Sequence, residues 1–135
     1  MRDRGGEPLV MNMDLAAGLN RNFRTAIWTG DDVQVTLMRI PACGETGAGI
    51  LRRVDQLLYV VGGTCSAEMG PDRRAMSYVK RAECGYGIFI PRRTWYNVRN
   101  TGDGPLLLFA VSAPPSCGFG RVDVTRPDGD GNGRY

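Results

Sequence analysis

The chain has 135 residues, enough for one domain that buries about two-thirds of its unfolded surface and too few for a second. Its 19 glycines and 8 prolines separate short β-rich runs, which argues for an all-β sandwich or barrel and against a helical bundle. Seventeen Lys and Arg against fourteen Asp and Glu give a net charge of +3 with no basic stripe and no apolar run of transmembrane length, so neither nucleic acid nor membrane is an expected partner.

Residues 1–8 are charged and glycine-containing and lack an apolar h-region, so a loose arm and a cytoplasmic site of synthesis are expected. Residues 9–15 are expected to add an edge strand, giving an N-terminal unit over 1–19. Residues 20–30 carry Phe23, Ile27 and Trp28 before the turn Gly30-Asp31-Asp32. Residues 33–40 then alternate, with Val33, Val35 and Leu37 on one face and Gln34, Thr36 and Met38 on the other, the period of a half-buried strand. Pro41 stops it. Residues 57–61 are a continuous apolar run, and 66–69 and 76–81 read as short strands around a turn at 70–74. Gly85 and Gly87 break the chain before Ile88, Phe89 and Ile90. Pro91, which cannot donate to a ladder, closes that strand, and Trp95 begins the next. A long apolar strand follows at 105–114.

The barrel is thus expected over 20–125, with 126–135 as a polar tail. Asp128, Asp130, Asn132 and Gly133 match the opening of an EF-hand loop, without its glutamate or flanking helices. Cys43, Cys65, Cys84 and Cys117 are widely spaced, and the chain has no histidine to complete a zinc set. Four reduced, mostly buried thiols are expected.

The spacing of Gly85, Pro91, Tyr96 and Asn100 resembles the second motif of the cupin family: glycine, five residues, proline, any, glycine, two residues, histidine, three residues, asparagine. Arg93 stands at the turn glycine and Tyr96 at the metal-binding histidine. The first motif can be laid over residues 43–63. Cys43 falls on its first glycine, Gly49 and Leu51 on two histidines, Gln56 on the glutamate and Gly63 on the closing glycine. The triplet Val54-Asp55-Gln56 resembles one found in a subgroup of small bacterial cupins. The resemblance covers about residues 23–124. It implies a jelly-roll or double-stranded β-helix barrel, and a homodimer built by edge-strand exchange.

A working cupin metal site needs imidazoles and a carboxylate converging on manganese, iron, zinc or nickel. Gly49, Leu51, Gln56 and Tyr96 are not that set, so a degenerate cupin with no metal and no cofactor is expected. Gln56, Tyr96, Leu51 and Asp55 are the candidate ligand contacts inside the barrel, with the Tyr96 hydroxyl bonded to Gln56. Arg52, Arg53, Arg92 and Arg93 are candidates for an anion clamp at its mouth. Two functions follow. The preferred one is a structural, self-assembling protein whose partner is its own kind. The alternative is a binding module, or a metal-independent enzyme, for a sugar or small anionic molecule, with Tyr96, Asp55 or Glu45 as acid or base. An interior plugged by Leu51 and Tyr96 favours the first, an open polar one the second.

Overall fold

The computed structural model describes residues 1–127. One helix, α1 (Met13–Leu19), precedes ten strands: β1 (Arg24–Thr29), β2 (Gln34–Ile40), β3 (Gly49–Ile50), β4 (Asp55–Gly62), β5 (Thr64–Gly70), β6 (Tyr78–Glu83), β7 (Gly87–Ile90), β8 (Trp95–Asn100), β9 (Leu106–Ala113) and β10 (Val122–Asp123). They form two facing antiparallel sheets, of six strands in the order β10-β1-β2-β9-β4-β7 and of four in the order β3-β8-β5-β6. The expected barrel is therefore present. The polar tail from residue 128 on, with the calcium-loop resemblance at Asp128 to Gly133, lies outside the described residues.

Alternation along β9 explains how the sheets close. Leu106, Leu108, Ala110 and Ser112 are buried toward the interior, while Leu107, Phe109, Val111 and Ala113 are only partly covered. Met38, Ile40, Leu58, Val60, Ile88 and Ile90 join them from the large sheet and meet Cys65, Ala67 and Val98 from the small one. A second cluster lies on the outer face of the large sheet, where Ala16 and Ala17 of α1 cover Ile27 and Leu37.

This outer cluster corrects two expectations. The 9–15 segment contributes no strand: Asn12 caps a helix instead, its side chain accepting from the Leu15 N–H at 3.0 Å, and Asp14 occupies the first turn. A seven-residue helix is marginal alone, so its docking on the sheet holds it. Strand β2 is covered on both faces. Gln34, Thr36, Met38 and Ile40 point into the barrel, whereas Leu37 and Val35 lie under the helix. Alternation located the strand but could not say which face was inside.

The arm at residues 1–8 is not loose. The Arg4 N–H donates to the Ile27 carbonyl at 2.9 Å, and Thr29 N–H to the Gly5 carbonyl at 3.2 Å. The buried Asp3 carboxylate accepts from Thr29 Oγ1 at 2.6 Å, Gly120 N–H at 2.9 Å and Gly5 N–H at 2.8 Å. Burial would raise its pKa. These hydrogen bonds outweigh burial and hold the carboxyl below its ordinary value, so their stabilisation fades as pH falls through the folded-state pKa.

Corners between the sheets show what the motif spacings mean. Gly63 has φ +92°, and a Cβ there would sit 2.9 Å from the Pro105 carbonyl oxygen. Asn100 donates through Nδ2 to the carbonyls of Ile40 at 3.0 Å and Gly104 at 2.9 Å, and accepts from Gly102 N–H at 2.9 Å. Cys43 (φ +66°) and Arg93 (φ +65°), at two family glycine positions, keep the left-handed backbone that glycine adopts freely. Replacing either by glycine is therefore expected to raise stability by about 0.5–1 kcal/mol, and Gly63→Ala to lower it by more than about 1 kcal/mol. Urea midpoints at constant m-value measure both, and no gain from either glycine would contradict the strain assigned to these corners.

Candidate functional site

The positions laid over the family's metal ligands are divided between the two sheets. Gly49 on β3 lies directly opposite Tyr96 on β8, and Leu51 follows, its carbonyl accepting from Arg93 N–H at 2.7 Å. Gln56 on β4 sits across from Ser112 on β9 and Ile90 on β7. Its amide donates to Ser112 Oγ at 3.2 Å, and Ser116 Oγ bonds the same hydroxyl at 3.2 Å. Above this pair Gln34 is fully buried and saturated. Its amide donates to Thr29 Oγ1 and the Cys117 carbonyl, both at 3.0 Å, and its oxygen accepts from the N–H groups of Ser116 and Cys117, both at 3.1 Å.

These residues do not fit a transition metal. Gly49 has no side chain, Leu51 is apolar and Gln56 offers a neutral amide already engaged by Ser112. Among the described residues no three His, Cys, Asp or Glu side chains converge on one point. The interior instead grades from an apolar end at Leu106 to a hydrogen-bonded polar end at Ser112 and Gln34.

The arginine pairs take separate roles. Asp55 accepts from the Arg92 backbone N–H at 2.9 Å and faces its guanidinium at 3.2 and 3.3 Å. These hydrogen bonds hold the Asp55 carboxyl below its ordinary pKa and latch β4 to the turn between β7 and β8. Arg52 and Arg53 stand exposed before β4. Arg93, whose charge also helps to lower the Asp55 pKa, lines a cavity of about 710 Å³ that opens between β6 and β7, the edges of the two sheets.

Inward-facing Met69, Ala82 and Ile88 form the apolar walls of that cavity, and Lys80, Arg81 and Arg93 bring the charge. Arg81 is paired with Glu83 at 3.3 Å, and the Lys80 ammonium lies 5.7 Å from the Tyr78 ring centre. Sequence reading missed Tyr78 and Lys80 as site residues. Their one signal was the alternation of Tyr78, Lys80 and Ala82, together with Lys80 being the chain's single lysine.

Two sheets closed around such an interior define a cupin, a double-stranded β-helix barrel. No protein-family profile matches the chain. The chain is 38% identical over 128 residues to uncharacterized protein YrkC of Bacillus subtilis (strain 168), covering 95% of this chain and 69% of YrkC. It resembles the crystal structure of BH2720 from Bacillus halodurans with a TM-score of 0.92 at 40% identity, covering 93% and 96% of the two chains. A double-stranded β-helix protein of Klebsiella pneumoniae shares the fold alone, with a TM-score of 0.66 at 16% identity over 87% of this chain and 98% of that one. The chain belongs to the small bacterial cupins, in one family with YrkC and BH2720. Among the described residues no helix is long and apolar enough to cross a membrane.

All four cysteines are free thiols, but only Cys65 and Cys117 are buried, fewer than expected. Burial pushes the Cys65 thiol up to about 11 and raises that of Cys117 as well. Cys43 and Cys84 are exposed. A disulfide reagent at pH 8 should therefore titrate two thiols promptly in the native protein and all four after unfolding. Prompt reaction at Cys65 or Cys117 would contradict the packing described.

Proposed function

We propose that the protein is a metal-independent cupin that binds a small organic anion with an apolar body in the cavity between β6 and β7. The observation that carries this reading is the pairing of apolar walls with two cations, Lys80 and Arg93, that have no ion-pair partner among the described residues. A carboxylate or sulfonate would meet both cations while its hydrocarbon part displaced water from Met69 and Ile88. Binding fits better than catalysis. Asp55 and Glu45, the carboxylates considered for acid–base work, face Arg92 and Arg99, the latter at 2.6 Å.

Anilinonaphthalene sulfonate supplies a fluorescent probe of this chemistry. The native protein is expected to bind it saturably, with competition from aromatic carboxylates. Arg93→Gly should weaken binding by about tenfold through loss of one charge-assisted contact, even as it relieves backbone strain. Absence of native-state binding, or binding indifferent to both Arg93→Gly and Lys80→Met, would rule the reading out.

Self-association is a second reading, favoured by Phe89, 70% exposed on β7, and Val79, 51% exposed on β6. Both lie on edge strands without an outer neighbour among the described residues, which is where a second copy would pair. Light scattering should then give the mass of a dimer that Phe89→Asp reduces to a monomer. A monomeric wild-type protein, with and without reductant, would sink it.

A further inference from the structure

A second cleft, of about 500 Å³, lies at the end of β2 opposite Gln34 and shares no lining residue with the cavity between β6 and β7. Phe23, Pro41 and Val124 form its apolar surface, and Arg21, Arg39 and Arg126 supply its charge. The single carboxylate lining it, Glu45, is already engaged. Glu45 Oε2 lies 2.6 Å from Arg99 Nη1, and its other oxygen 3.9 Å from Arg126 Nη1. Arg99 also holds Glu68 at 2.9 Å. Glu45 and Glu68 thus offset Arg99 and Arg126 in charge. Arg21 and Arg39 are left over, and neither has a hydrogen-bonding side-chain partner or an ion pair among the described residues.

Two uncompensated guanidinium forks beside a buried aromatic ring call for a ligand with two negative charges on one compact group and a small apolar body. A phosphate monoester carries close to two charges at neutral pH and offers oxygens that match the guanidinium fork. We propose that this cleft binds a small phosphate monoester, its phosphate between Arg21 and Arg39 and its organic part against Phe23, Pro41 and Val124. The site is distinct from the barrel interior and from the cavity of the proposed function. Either can fail without the other.

Cys43 lines the same cleft and is exposed, so it reports occupancy. Cys84, also exposed but outside the cleft, serves as the internal reference. The full chain is alkylated with iodoacetamide, with phenyl phosphate or phenol present at matched ionic strength, and the rate at each cysteine is followed by peptide mass spectrometry. Phenyl phosphate is expected to slow alkylation of Cys43 saturably and leave Cys84 unchanged, while phenol protects neither. Arg21→Gln and Arg39→Gln should each raise the half-protecting concentration by about tenfold. Unreactive Cys65 and Cys117 confirm that each variant is folded, and if Arg39→Gln exposes them, Arg21→Gln at its exposed position decides alone. Cys43 alkylation indifferent to phenyl phosphate, equal protection by phenol, or full protection in the folded arginine variants would overturn the proposal.

Discussion

The barrel depends on one constraint: the chain must cross from one sheet to the other within a few residues, at corners too tight for ordinary backbone. Between β4 and β5 that corner is Gly63, where the Pro105 carbonyl leaves no room for a side chain. Between β7 and β8 it is Arg93, held in the left-handed region and braced by its N–H to the Leu51 carbonyl and by the Asp55–Arg92 contact beside it. Asn100 ties the end of β8 to the last residue of β2 and to the loop that precedes β9. With these corners in place, the inward residues of both sheets meet in register. A non-glycine residue at such a corner costs about 1–2 kcal/mol in local strain, which the surrounding core must offset.

The interior built by those corners is divided. Leu106, Leu108, Val60 and Val98 pack one end as a hydrocarbon core, and Gln34, Ser112, Ser116 and Gln56 are linked by hydrogen bonds at the other. In a metal-binding cupin the polar end would converge on an ion. Here its groups satisfy each other, and no buried side-chain polar atom is left without a partner among the described residues. Gln34, bonded at both amide atoms, has little left to offer a ligand.

Pairing of charges then decides where chemistry is available. Asp55 engages Arg92, and Glu45 with Glu68 engages Arg99, so the acidic residues near these arginines act as braces. Two separate hollows hold further cations, Lys80 and Arg93 in one and Arg21 and Arg39 in the other. Both hollows have apolar walls, which is why an anion with a hydrocarbon part is proposed for each. The selectivity of each would come from spacing of the cations and shape of the wall rather than from charge alone.

Spacing in the sequence, through its resemblance to the cupin motifs, pointed to the fold. Glycine, proline and asparagine act through their own backbone, so Gly63, Pro91 and Asn100 mark corners whatever surrounds them, and Cys43 and Arg93 could be placed at corners by counting residues. The same counting laid Gly49, Leu51, Gln56 and Tyr96 over the family's ligand positions. It could not determine the inner face of β2, because both faces are covered and alternation alone is symmetric. Nor could it show that residues 9–15 run into a helix, since the cover for Ala16 and Ala17 comes from Ile27 and Leu37 on other strands. Tertiary structure alone paired Arg92 with Asp55 and put Arg21 and Arg39 in the lining of one cleft. A side chain's partner and the hollow it faces depend on strands far away in sequence, and no local pattern carries that information.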